Sequence, residues 1–138
     1  MSVRTPTPEQ QAAIDAAGEV LVSASAGSGK TFVMVEKMIS LILEQKAEVS
    51  SVLAVTFTKL AAGEMKERLR AALTARIRVE TDPAARARLK EQLSDIPSAD
   101  ICTLHAFCTN VIRRYFYEGG LDGNFRVLDE TEAAKLRA

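Results

Sequence analysis

Cysteine is nearly absent from this 138-residue chain: Cys102 and Cys108 are the only two, too few for a disulfide scaffold. With His105 between them they spell C-x-x-H-x-x-C, a spacing that invites a metal. A strand-to-helix turn here would aim the three side chains apart, and no fourth ligand is nearby. The pair therefore reads as buried thiols that pack as small hydrophobes. A membrane span is missing too, since no apolar run approaches the ~18 residues needed to cross a bilayer. The opening "MSVRTPTPEQ" lacks the apolar core of a signal peptide, so a cytoplasmic protein without a membrane partner is expected. Neither charge is in excess. Lys+Arg and Asp+Glu both number 18, so any attraction to nucleic acid must be local. Low-complexity tracts are absent, and 47% hydrophobic with 26% charged residues suits one globular domain with a real core.

What is present alternates between two periodicities. "TPEQQAAIDAAG" predicts a short helix with Thr7 as N-cap, Pro8 at its first position and Gly18 as its stop. "VLVSA" is an unbroken apolar run of the buried parallel-strand kind. Phe32, Val35, Met38, Ile39 and Ile42 then recur at helical spacing to about Glu44. "SVLAVTF" predicts a second buried strand, followed by a long helix from about Leu60 to Arg78. Asp82-Pro83 opens another helix that ends near Asp95. "ADICTL" predicts a third strand, and "HAFCTNVIRRYFYEGG" a helix closed by Gly119-Gly120. "FRVLDETEAAKL" predicts a short strand entering a helix, with Asp129 and Glu132 at capping-box spacing. Strands alternating with helices give an α/β fold: a parallel sheet flanked by helices. With three or four strands the sheet looks incomplete, like the front portion of a larger domain.

The chemistry concentrates in "ASAGSGKTF", Ala24 to Phe32, directly behind the first apolar run. It nearly spells the phosphate-binding loop G-x-x-x-x-G-K-S/T, with Ala24 at the first glycine position. A turn that leaves a strand and opens a helix aims backbone N–H groups and the positive end of the helix dipole at one spot. Gly27 and Gly29 let the backbone wrap closely around a phosphate. Lys30 supplies a point charge for β- and γ-phosphates, and Thr31 a hydroxyl for Mg²⁺. Gln10 has two readings. Thr7 and Gln10 are spaced as a capping box, and a Gln amide can also pair with the N6/N7 edge of adenine.

Two further turns stand at predicted strand ends, the edge where open α/β sheets bind ligands. In "TFTK", Thr58 suits an N-cap, while Thr56, Thr58 and Lys59 together suit phosphates of a nucleic-acid backbone, with Phe57 stacking on a base. "TLH" repeats the design with Thr103 and His105. Between Lys66 and Lys90 lie eight basic and three acidic residues, a surplus that a solvated helix face explains as well as a nucleic-acid track.

Taken in order, Gln10-x-x-Ala13-Ile14, "ASAGSGKT", "VTFTKLAAGEM", "TLHAFC" and "FRVLDE" resemble the start of a superfamily-one DNA helicase of the UvrD/Rep kind. More narrowly, they resemble helicase/nuclease subunits of the AddA and RecB type. The resemblance covers nearly the whole chain, and Ala24 is then the family's own spelling of the loop. It implies the N-terminal part of a first RecA-like motor domain over residues 1–138, here incomplete. ATP and Mg²⁺ are the implied cofactors. The implied ATP-binding residues are Gln10 and the loop Ala24, Ser25, Ala26, Gly27, Ser28, Gly29, Lys30, Thr31 and Phe32, with Lys30 catalytic and Thr31 on the metal. Single-stranded DNA contacts fall on Thr56, Phe57, Thr58, Lys59, Thr103 and His105, and a second helicase–nuclease subunit is the implied partner. The activity implied is ATP-driven translocation on single-stranded DNA in double-strand-break repair. Lys59 and Leu60 depart from the usual Asn followed by Lys or Ala. Phe32 stands where the UvrD/Rep branch has an Arg that stacks on adenine, which favours the AddA/RecB branch. A repair helicase without a nuclease is the first alternative. A small P-loop kinase explains the loop but not "TFT" or "TLHAF", and a non-enzymatic nucleotide- or DNA-binding module is the third.

Overall fold

Capping side chains and prolines set where the helices begin in the computed structural model, which describes residues 5–137. Helix α1 spans Pro8–Asp15, with Thr7 accepting the Gln10 N–H and the Gln10 side chain accepting the Thr7 N–H. It ends before Gly18, which nevertheless adopts the left-handed conformation at φ +76°. Helix α2 spans Lys30–Leu43 and buries Phe32, Val35, Met38 and Ile42 on one face. Helix α3, Lys59–Val79, is capped by Thr58 and buries Ala62, Met65, Leu69, Leu73 and Ile77. Helix α4, Pro83–Asp95, is capped by Asp82. Helix α5, Leu104–Tyr115, is capped by Thr103 and stops short of Gly119-Gly120. Helix α6 spans Glu130–Arg137, and Asp129 and Glu132 exchange the expected capping bonds at 2.8 and 3.2 Å.

The strands depart further from expectation. Among the described residues the sheet has two strands, β1 Leu53–Thr56 and β2 Asp100–Thr103, paired in parallel. The expected strand over "VLVSA" does not form, and neither does the one over "FRVL". Val20, Leu21 and Val22 are 51%, 96% and 49% exposed. An apolar run becomes a strand only where a neighbour takes up its backbone N–H and C=O groups, and no described strand lies beside this one. β1 is also only half buried. Ala54 is in the core, while Leu53 and Val55 are exposed.

A single core joins α2, α3, α4 and the two strands. Val35, Met38 and Ile42 of α2 meet Met65, Leu69 and Leu73 of α3, with Leu89 of α4 and with Ala54 and Ile101 from the strands. Each large buried aliphatic side chain contributes about 1.5–3 kcal/mol relative to exposure. Gln92 is the buried polar residue of this region, and its amide oxygen accepts the Val49 N–H at 2.7 Å. The β1–β2 register aligns Thr56 with Thr103. The two strands therefore end side by side, and the turns that follow them share one edge.

Candidate nucleotide and nucleic-acid site

The loop before α2 has the backbone that its glycines predict. Gly27 and Gly29 sit at φ +77° and +87°, a region that a Cβ disfavours. At Gly27 nothing lies within 4 Å of where a Cβ would stand, so conformation rather than crowding calls for glycine. Helices α1, α3, α4 and α5 each begin on a side chain that accepts an N–H, whereas α2 begins on Gly29, which has none. The N–H groups of Lys30 and Thr31 thus open the helix with no acceptor inside it, at the positive end of its dipole. The Lys30 ammonium is drawn over the loop, donating to the carbonyls of Ser25 at 2.7 Å and Ala24 at 3.1 Å. The Ser28 hydroxyl is buried and has no hydrogen-bond partner among the described residues.

Two cavities meet at Lys30. The larger, of about 580 Å³, is bordered by Thr7, Gln10, Ala13, Val22, Ser28 and Met34 as well as Lys30. That volume is in the range of small-molecule sites. The smaller, of about 260 Å³, is bordered by Gly27, Gly29, Lys30, Thr31, Phe32 and Arg68. Phe32 is buried and borders only this second cavity, so its ring is not among the walls that Gln10 shares. Ala26 is an exposed residue of the same loop.

Both readings of Gln10 meet in one geometry. Its amide oxygen accepts the Thr7 N–H at 3.0 Å, and its Nε2 donates to the Ser28 carbonyl at 2.9 Å. The capping box is real, yet one amide hydrogen and one oxygen lone pair remain for a base. The Ser28 bond also ties α1 to the loop itself. A second tie leaves little trace in the sequence: Lys37 donates to the carbonyls of Ile14 at 2.6 Å and Ala16 at 2.5 Å, closing the C-terminal end of α1. Its signal there is a charge pair, Glu36-Lys37, in the middle of a largely apolar helix. Arg68 is likewise hidden within the basic surplus after Lys66.

The donors present fit a polyphosphate. A phosphate oxygen would satisfy the Ser28 hydroxyl on the larger cavity, and Lys30, which borders both, leads to the two glycines and the start of α2 at the smaller one. Thr31 is the hydroxyl beside the smaller cavity that could ligate Mg²⁺, an oxygen-seeking cation.

At the sheet edge, the Thr56–Lys59 turn and the Thr103–His105 turn lie side by side, because Thr56 pairs with Thr103. Phe57 is fully exposed at 103%, which removes it from the core. Thr58 accepts the Ala61 N–H at 3.1 Å and Thr103 the Ala106 N–H at 3.3 Å. Both hydroxyls act as caps and keep their own O–H to donate to a phosphate. The phosphate loop is not joined to this edge by a strand. Helix α3 begins after Thr58 and carries Arg68, which borders the smaller cavity.

The metal-like spacing of Cys102, His105 and Cys108 gathers no ligand set, since no group of three or more potential ligands forms among the described residues. Desolvation, helped by Asp100, raises the Cys102 thiol above its usual pKa, so it stays protonated. The expectation of two buried thiols fails for both, since Cys102 is only half-buried and Cys108 lies at the surface. Cys108 sits on α5, a helix that buries none of its residues. Among the described residues no helix is long and apolar enough to cross a membrane.

A glycine-rich loop opening a helix, beside a small parallel sheet flanked by helices, makes this an α/β protein. The family follows from the whole chain. A family model described as the UvrD/REP helicase N-terminal domain matches residues 6–138, and the chain belongs to that family. Its curated relatives include the A subunits of ATP-dependent helicase/nucleases from several bacteria. The one from Latilactobacillus sakei is 49% identical over 133 residues, covering 96% of this chain and 15% of that protein. The one from Pediococcus pentosaceus is 46% identical over 138 residues, covering 99% of this chain and 11% of the relative. That from Desulfitobacterium hafniense is 47% identical over 133 residues, with 95% and 10% covered. The chain thus spans 10–15% of the length of these relatives.

Proposed function

We propose that this chain is the nucleotide-binding front of an ATP-dependent DNA helicase, part of a first RecA-like motor domain. The observation that carries the reading is the pair of cavities meeting at Lys30, one bordered by Gln10 and the other by Thr31. Adenine lies against Gln10 and the apolar walls of the larger cavity. The phosphates run along Ser28, Gly29 and Lys30 into the smaller one. Lys30 swings from the Ala24 and Ser25 carbonyls onto the phosphates, exchanging neutral acceptors for a charged one. Mg²⁺, held in part by Thr31, would neutralise charge between the terminal phosphates. Single-stranded DNA crosses the edge formed by the Thr56–Lys59 and Thr103–His105 turns, its phosphates on the hydroxyls and a base on Phe57. The helicase/nuclease names of the relatives favour a role in break repair with a second, partner subunit.

No carboxylate borders the smaller cavity among the described residues. Hydrolysis needs one to help hold Mg²⁺, a group to orient water and cations to stabilise transition-state charge. These 138 residues are therefore expected to bind ATP without turning it over. The test is ATP binding and steady-state ATPase with and without single-stranded DNA, with Lys30→Ala as control. Binding that is lost in Lys30→Ala, with background turnover throughout, supports the reading. DNA-stimulated turnover that vanishes in the control would show the catalytic carboxylate within this chain and overturn the domain assignment.

A further inference from the structure

Helix α1 is short and mostly outside the core: of its eight residues Ile14 is the buried one. Helices of this length are marginal alone, so contacts with the rest of the chain must set where it lies. It packs on α2, and two hydrogen-bonded ties hold it at opposite ends. At its start the Gln10 Nε2 donates to the Ser28 carbonyl at 2.9 Å, in the loop that opens α2. At its finish the Lys37 ammonium, from the middle of α2, donates to the carbonyls of Ile14 at 2.6 Å and Ala16 at 2.5 Å. The last turn of α1 has no basic residue of its own. Its open carbonyls and the negative end of its dipole are therefore served by a cation from another element. We infer that Lys37 is a positioning residue for base selection, seating α1 so that the Gln10 amide meets the nucleotide base in one orientation.

This rests on the nucleotide reading above and deepens it. Lys37 borders neither of the cavities that meet at Lys30, so it acts through α1 rather than on the nucleotide. The larger cavity takes one wall from α1, through Gln10 and Ala13, and another from the loop and α2, through Ser28, Val33 and Met34. How that cavity receives a base thus depends on how α1 is seated. The phosphate end does not, because Gly27, Gly29, Lys30 and Thr31 lie in one contiguous turn outside α1. Lys30 and Lys37 are seven residues apart on α2, close to two full turns, so both side chains leave the helix on one face about 10 Å apart. One cation serves the phosphates and the other holds the helix that carries the base reader. Without the clamp, α1 stays attached at its Gln10 end while its far end can pivot. Affinity for a base that needs the seated amide then falls with the fraction of molecules in which α1 is seated. A triphosphate held by the loop alone loses nothing.

The experiment is calorimetric titration of ATP, GTP and inorganic tripolyphosphate into wild type and variants, with thermal unfolding of each. The variants are Lys37→Met, Lys37→Gln, Lys37→Arg, Gln10→Ala, Lys30→Ala and, as a stability control, Arg88→Met. Arg88 donates to the Ile42 carbonyl at 3.0 Å, so its loss weakens the C-terminal end of α2 without touching α1. Lys37→Met should lower the ATP-to-GTP affinity ratio roughly 3- to 10-fold and leave tripolyphosphate binding unchanged. Lys37→Arg keeps a charged donor and should restore most of the ratio. Lys37→Gln offers one amide to two carbonyls, so it should lower the ratio part of the way, and it decides the matter if Lys37→Met does not fold. If Gln10→Ala lowers the ratio but neither Lys37→Met nor Lys37→Gln does, the positioning role is overturned and the base reading stands. If Arg88→Met lowers the ratio as much as Lys37→Met at a similar loss of melting temperature, Lys37 is merely structural and the role is likewise overturned. If Gln10→Ala leaves the ratio unmoved, the base reading fails and this inference with it. If Lys30→Ala leaves tripolyphosphate affinity unchanged, the loop reading itself fails.

Discussion

Replacing Gln10 by Ala removes a side chain whose orientation is set at both ends. The Thr7 N–H fixes the amide oxygen and the Ser28 carbonyl fixes the amide nitrogen. The amide therefore cannot turn over to suit a different base. Adenine offers a donor at N6 and an acceptor at N7, which that orientation matches, while guanine puts an acceptor, O6, where adenine has its donor. A pinned amide should favour ATP over GTP by about 1–3 kcal/mol, roughly 5- to 100-fold in affinity. Gln10→Ala should bring the ratio close to one. It should also cost about 1–2 kcal/mol of stability for the two lost hydrogen bonds. Two variants separate these effects. Thr7→Ala breaks the cap at a cost of about 1 kcal/mol but leaves the amide tied to Ser28, so the ratio should survive. Gln10→Glu keeps an acceptor for the Thr7 N–H but sets a carboxylate against the Ser28 carbonyl and N7, so the ratio should collapse. The assay is equilibrium titration of both nucleotides, with thermal unfolding in parallel. Equal weakening of ATP and GTP in Gln10→Ala, with the ratio unmoved, would falsify the adenine role and leave Gln10 as a cap alone.

Phe57→Ala should lower affinity for single-stranded oligonucleotides by about 1–3 kcal/mol whatever their sequence, measured by fluorescence anisotropy. Its melting temperature should not move, because the ring is fully exposed; unchanged binding refutes the stacking role. Lys37→Met should cost about 2 kcal/mol of stability, through loss of an ammonium shared by two carbonyls at the end of α1. Hydrogen exchange should then quicken in α1 before the rest, and uniform exchange would refute the clamp. Cys108 should alkylate faster than Cys102 at neutral pH, since Cys102 is the less exposed thiol and its pKa is raised. Mass spectrometry of the modified peptides decides, and prior modification of Cys102 refutes that order.

The helices are legible in the sequence because their signals are local. Thr7-Pro8, Thr58, Asp82-Pro83, Thr103 and the Asp129–Glu132 pair each satisfy a donor within three or four residues. Strands lack that property. "VLVSA" carries the right side chains, but what makes a strand is a neighbour, and no local spacing encodes one. The loop from Ala24 to Thr31 is readable for the same reason as the caps, being one contiguous turn. Arg68 borders the smaller cavity, and Lys37 closes the end of α1, only because α3 and α1 pack on α2, so both depend on contacts between distant segments. The edge turns fall between these cases. Each is visible alone, while their adjacency follows from the pairing of Thr56 with Thr103. Cys108 departs from its expected burial because α5 leaves its apolar residues outward, a matter of packing rather than composition.

Leu21 is almost wholly open to solvent between two half-exposed valines, and β1 and β2 each pair along only one side among the described residues. An unpaired apolar triplet and unsatisfied strand edges are what aggregating chains use to recruit one another. Handled as an isolated 138-residue polypeptide, this protein should therefore self-associate as its concentration rises. A lysine at position 21, Leu21→Lys, interrupts the triplet with a charge of the kind natural edges carry. It should raise the working concentration for every titration above, touching none of the residues that border either cavity.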